Sequence, residues 1–85
     1  MAKVEIYTKD WCSYCARAQR LLAERGAEVV EHKVDWGGDK KAEMIQRAGG
    51  RTTVPQIFID GRHIGGCDDL FDLERSGKLA GLLSH

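Results

Sequence analysis

The chain has 85 residues with 13 basic and 13 acidic side chains, so its formal net charge is zero. That length holds one domain with a modest core, and the interleaved charges argue against nucleic acid or an anionic membrane as partner. No apolar run approaches the ~18–20 residues needed to span a bilayer. The opening Met1-Ala2-Lys3-Val4-Glu5 lacks a signal-peptide apolar region, so a complete cytoplasmic chain with a single domain over 1–85 is expected.

Val4-Glu5-Ile6-Tyr7-Thr8 alternates apolar and polar residues and is rich in strand formers, which predicts a first strand. From Ser13 the spacing turns helical, with Cys15, Ala18, Leu21, Leu22 and Arg25 recurring at helical intervals. Gly26 is placed to end that helix in the left-handed conformation. Glu28 to Val34 predicts a second strand, Trp36-Gly37-Gly38 a loop, and Lys40 to Ala48 a short amphipathic helix stopped by Gly49-Gly50. Gln56-Ile57-Phe58-Ile59 and Arg62-His63-Ile64 flank Asp60-Gly61, the strongest short-range hairpin signal. A last helix runs from near Asp68 to near Gly77, followed by a short apolar tail from Leu79 to Leu83 that covers the core. The order β-α-β-α-β-β-α is that of an α/β fold. Its first βαβ unit needs a right-handed parallel crossover, and the hairpin extends the sheet antiparallel. A four-stranded mixed sheet flanked by helices on both faces results.

Cys12-Ser13-Tyr14-Cys15 lies between the first strand and its helix, at the sheet end where open α/β sheets bind ligands. Two thiols across a first helical turn can close a disulfide. The helix start also carries unpaired N–H groups and a partial positive charge that favour an anion, and the thiolate is the form that attacks disulfides. Cys12 precedes the helix and is expected to be exposed, whereas Cys15 lies one turn in, shielded against the sheet. Those positions make Cys12 the attacking thiol and Cys15 the resolving one, with Lys9 adding positive charge nearby. A stabilised thiolate gains little as an attacker, because nucleophilicity falls with basicity. It gains as a leaving group when a second thiol displaces it.

Half a zinc site is the competing reading of Cys-x-x-Cys, with Cys67, His32 and His63 as further ligands. Those three are scattered, and no second paired half-site exists. His32, His63 and His85 show no catalytic partner at readable spacing. Trp11 and Trp36 read as packing and loop residues.

Pro55 is the only proline and directly precedes an apolar strand. Two readings stand on this segment alone: an ordinary edge-strand proline, or a cis Val54–Pro55 bond. In the second, the Val54 N–H and C=O turn outward and can pair with an extended peptide as an added strand. Gly65-Gly66-Cys67-Asp68-Asp69 opens the last helix. Its N–H groups suit a carboxylate, but two aspartates repel a simple anion, so a zwitterion with its ammonium on Asp68 fits both. Plain N-capping by Asp68 or Asp69 is the simpler alternative.

Tyr7-Thr8-Lys9 leading into Cys12-Ser13-Tyr14-Cys15, then Thr53-Val54-Pro55, then Gly65-Gly66 with Asp68-Asp69, occur in the order and spacing of one family. Along almost its whole length the chain resembles the glutaredoxins, most closely the small bacterial dithiol members. The resemblance implies a thioredoxin-like fold and glutathione as the extended peptide and co-substrate. Its cysteinyl backbone would pair with Val54 beside Thr53 and Pro55, and its γ-glutamyl group would sit at Gly66, Cys67 and Asp68. Its glycine carboxylate would lie near Lys9 and a second cation, with Lys41, Arg47 and Arg51 all open. Tyr14 would line the groove beside the mixed disulfide.

Two positions depart from the commonest family pattern. Ser13 stands where most dithiol members carry proline, which restores a backbone N–H and a hydroxyl able to cap the helix or touch the thiolate. Ser-Tyr centres of this kind resemble those of members that hold a [2Fe-2S] cluster between two subunits, with Cys12 and glutathione as ligands. The second departure is Cys67, either a small side chain at a helix start or a secondary site of glutathione attachment. The resemblance implies a glutathione-dependent thiol–disulfide oxidoreductase acting on glutathionylated or disulfide-containing proteins, monomeric unless a cluster bridges a homodimer. A thioredoxin-like disulfide reductase fed by a flavoenzyme is the alternative.

Overall fold

The computed structural model describes residues 2–84; His85, one of the three histidines weighed above, lies outside the described residues. The elements are β1 (Val4–Thr8), α1 (Ser13–Glu24), β2 (Val29–Lys33), α2 (Gly38–Arg47), β3 (Gln56–Ile59), β4 (Arg62–Gly65), α3 (Cys67–Arg75) and α4 (Leu79–Leu83). The sheet order is β2-β1-β3-β4, with β1 and β2 parallel and both other pairings antiparallel. This is the expected mixed sheet. The segment from Leu79, expected as an apolar tail, is a short helix instead. Its Leu79 is fully buried, with Leu82 and Leu83 packed on the core.

Alternation along β1 divides the core. Val4 and Ile6 point to one face, where they meet Ile57 and Ile59 of β3, Ala18, Leu21 and Leu22 of α1, and Leu70 of α3. Tyr7 points to the other face and packs with Phe58 of β3 and with Met44 and Ala48 at α2. Thus α1, α3 and α4 cover one face and α2 the other. A strand sandwiched this way must be apolar on both sides, and β3 is buried along its whole length.

Turn chemistry sets the register. Asp60 and Gly61 both have positive φ, 52° and 80°, the signature of the two-residue hairpin turn that Asp-Gly favours. Gly26 has φ 75° just beyond α1, as a left-handed cap requires. The second helix starts at Gly38 rather than Lys40, because the loop glycines already supply its first backbone groups.

Candidate active site

The chain leaves β1 at Thr8 and must turn sharply to enter α1. Trp11 makes that turn with φ 60°. Cys12 is the N-cap of α1 in an extended conformation, and its Sγ accepts the Cys15 N–H at 3.2 Å. Its carbonyl accepts the Ala16 N–H at 3.1 Å. The thiol itself therefore occupies the position where Ser, Thr or Asp oxygens usually satisfy a helix start. Ser13, considered above as a cap, is instead the first helical residue and is exposed. Cys12 already holds the cap position, and its Sγ takes the Cys15 N–H that a capping hydroxyl would accept.

Cys12 is half-buried and Cys15 is only 3% exposed, on the helix face that also carries Ala18, Leu21 and Leu22. The Cys15 thiol is pushed up to about 12, first by burial and then by its hydrogen bond with Cys12, while the Lys9 backbone pulls the other way. Cys15 is thus a neutral donor under the Cys12 sulfur at any ordinary pH. The Cys12 Sγ sits at the start of α1 with the Cys15 N–H directed at it.

From Tyr14, 54% exposed on the same turn, a groove of about 350 Å³ runs toward the start of α3. Its walls are Thr53, Val54 and Pro55 on one side and Gly66, Cys67 and Asp68 on the other, with Arg51 and Asp69 beside them. Seven of the eight predicted glutathione contacts therefore meet in one place. Lys9 is the exception and is not part of the groove wall. The Val54–Pro55 bond is cis. Neither the N–H nor the C=O of Val54 has a hydrogen-bond partner among the described residues.

At the far end Asp69 reaches back to the Gly66 N–H at 2.9 Å, so Asp69, not Asp68, stabilises the helix start. That bond is the first cause holding its carboxyl below the usual range, and Arg51 at 3.3 Å is a further one. The contact also explains Gly65: with φ 119°, any Cβ there would lie 2.3 Å from the Asp69 carboxylate. Asp68 is exposed and makes no ion pair among the described residues. Burial pushes the Cys67 thiol up and so keeps it neutral.

The three candidate cations separate. Arg47 lies under the opposite face, where it donates two bonds to Glu5 at 3.0 and 3.2 Å and one to the Tyr7 hydroxyl at 2.7 Å. Lys41 is not in the groove wall, and Arg51 is. The distinguishing signal was available in the sequence: Arg47 falls on the α2 face that carries Met44, whereas Arg51 follows the helix on the approach to Val54-Pro55.

His32 and His63 serve the scaffold. His32 lies 3.2 Å from Glu5 and His63 2.7 Å from Gln56. Among the described residues no three His, Cys, Asp or Glu side chains converge as a metal site, so the zinc reading finds no completed ligand set. The reading of Trp11 and Trp36 as packing residues is corrected: both are loop residues, but they are 102% and 98% exposed and pack on none of the described residues.

The glutaredoxin family model matches residues 4–64. Glutaredoxin 3 of Escherichia coli strain K12 is 57% identical over 83 residues, covering 98% of this chain and 99% of that protein. The solution structure of a Brucella melitensis glutaredoxin has a TM-score of 0.83 at 53% identity, covering 98% of this chain and 89% of that one. The crystal structure of a buckwheat glutaredoxin–glutathione complex has a TM-score of 0.86 at 35% identity, covering 98% of this chain and 77% of that one. The sheet and its flanking helices match the thioredoxin-like fold of these structures.

Proposed function

The chain belongs to the glutaredoxin family, and from that premise we propose that it is a cytoplasmic glutathione-dependent thiol–disulfide oxidoreductase. One observation carries the reading. A single groove begins at Tyr14, on the helix turn that Cys12 caps, and carries a Val54 backbone without a partner among the described residues, the donors of the α3 start, an exposed Asp68 and Arg51. Glutathione has a complementary group for each. Its sulfur meets Cys12, its cysteinyl backbone pairs with Val54, and its γ-glutamyl carboxylate and ammonium meet the α3 start and Asp68. Arg51 takes the glycine carboxylate. Its pair with Asp69 is half-exposed on both sides, and such pairs hold by only ~0.2–1 kcal/mol, so it is free to turn to a ligand. The solved buckwheat complex supports glutathione as the ligand class.

The reaction is two exchanges. The Cys12 thiolate attacks the glutathione sulfur of a protein–glutathione disulfide, the Cys12–glutathione bond forms, and the protein leaves as a thiolate that takes up a proton. The thiolate of a second glutathione then attacks the bound glutathione sulfur. Oxidised glutathione departs and Cys12 recovers its electron pair. With a protein disulfide, Cys12 instead becomes bonded to the protein. Cys15 loses its proton, attacks the Cys12 sulfur and expels the second protein thiol; glutathione then reduces the Cys12–Cys15 bond. The high Cys15 pKa keeps it neutral until Cys12 is consumed.

The deciding assay follows turnover of a protein–glutathione disulfide with glutathione as reductant. Cys12→Ser loses all activity and Cys15→Ser keeps it; retention of rate by Cys12→Ser overturns the mechanism. Activity with a flavoenzyme donor and none with glutathione would favour the thioredoxin-like alternative. One half-exposed thiol per chain beside this groove also favours a second reading. Cys12 from each of two copies, with two glutathione sulfurs, is the set that would hold a [2Fe-2S] cluster, which would supply cluster-carrier chemistry. Visible absorption and dimer formation after anaerobic reconstitution with glutathione test it; a colourless monomer rules it out.

A further inference from the structure

Trp11 and Trp36 stand fully in solvent at the reactive end of the sheet, 102% and 98% exposed. An indole carries ~150–250 Å² of largely apolar surface, so two left bare in one place point to a partner. Their placement is built. β1 and β2 run parallel and end in register at Thr8 and Lys33, so the chain leaves both strands at the same edge. The Val34 N–H donates to the Thr8 carbonyl at 2.9 Å, and the Gly37 N–H closes a turn on the Val34 carbonyl at 3.1 Å. Asp35 and Trp36 are the central residues of that turn. The Asp10 N–H then donates to the Asp35 carboxylate at 2.6 Å, and Lys33 ion-pairs with Asp10. The two loops are tied at Asp10 and Asp35, and each presents its tryptophan one residue beyond the tie. Trp11 does so at φ 60°, a conformation costing a bulky residue ~1–2 kcal/mol.

We infer that Trp11 and Trp36 form a docking platform for the protein half of the substrate: the extended polypeptide that flanks the cysteine exchanging with Cys12. This rests on the reading of Cys12 as the nucleophile. A polypeptide whose sulfur reacts at Cys12 must approach Trp11, the residue bonded to it. The glutathione groove is lined by Tyr14 and by neither tryptophan, so both halves of a mixed disulfide find separate surfaces. Indole faces take apolar side chains and cations. Asp35 and Asp39 lie near Trp36 in the chain, but Lys33, Lys40 and Lys41 balance them, so the indole faces and not local charge set the preference. The fitting segment therefore has apolar or basic residues beside its cysteine. Two indoles offer roughly 300–500 Å², short of the ~800 Å² per partner of stable complexes. The complex is transient, as turnover demands.

The test compares two substrates on the intact protein: a glutathionylated unfolded model protein with apolar and basic residues around its cysteine, and the small cysteine–glutathione disulfide. Trp36→Ala and Trp11→Ala each raise KM for the protein substrate about tenfold, the scale of an interface aromatic. Turnover of the small disulfide by Trp36→Ala stays within twofold of the parent, and Trp36→Phe restores most of the protein-substrate KM. An unchanged KM for the protein in both variants overturns the platform, as does an equal loss on both substrates. A parent protein inert toward both substrates removes the redox reading and this inference with it, a result the variants alone cannot produce.

Discussion

Replacing Arg47 by methionine separates scaffold from site. The change keeps the aliphatic stem and removes the guanidinium, which bonds Glu5 twice, bonds Tyr7, and lies 4.1 Å from the Phe58 ring centroid. The Glu5 side chain is 12% exposed and that of Arg47 27%, so water offsets little of the loss. Arg47 is the first cause holding the Glu5 carboxyl at about 2 instead of 4.5. That difference corresponds to about 3 kcal/mol in favour of the charged folded state. Because the folded value lies below the unfolded one, this stability is complete above pH 4.5 and is lost as pH falls toward 2. Arg47→Met should therefore lower Tm by about 10–20 °C at neutral pH, with the difference from the parent shrinking toward pH 2. Thermal unfolding followed by circular dichroism between pH 2 and 7 measures both. An equal loss at pH 2 and pH 7 would show that packing on Phe58, not the Glu5 charge, is what Arg47 supplies. Its KM for glutathione should not change, since it lies across the sheet from the groove.

Arg51→Met should do the reverse, raising KM for glutathione about tenfold with kcat within twofold, the scale of one charge-assisted hydrogen bond. Its Tm should move by no more than ~4–8 °C, because the Arg51–Asp69 pair is half-exposed; steady-state kinetics and a thermal melt read the two. Cys15, with its thiol near 12 against an ordinary 9.0, should alkylate at pH 8 at least ~30-fold more slowly than a peptide cysteine. The thiolate fraction falls by about 10³, and higher basicity returns only part of that in nucleophilicity. Mass-resolved iodoacetamide labelling reads it, and labelling at the peptide rate would contradict the buried, neutral assignment.

The sheet was legible because each β1 residue obeys a local rule, as do the Asp60-Gly61 turn and the Gly26 cap. The α2 start was less so, since glycine disfavours helix by propensity and only the fold recruits Gly38. Leu79–Leu83 is too short to show helical periodicity, and packing makes it a helix. Cys12, Cys15 and the groove walls were readable from motif spacing. What escaped was tertiary: that Asp69 and not Asp68 caps α3, and that two tryptophans face solvent. A sequence records an aromatic residue without recording whether anything packs on it.

Under the proposed mechanism Cys12, beside the groove that Tyr14 lines, is the sulfur that carries glutathione. The direct measurement is the intact mass and peptide map of Cys15→Ser after exposure to oxidised glutathione. One glutathione per chain, bonded to Cys12 and released by added glutathione, is the predicted result. No adduct, or an adduct confined to Cys67, would contradict the account.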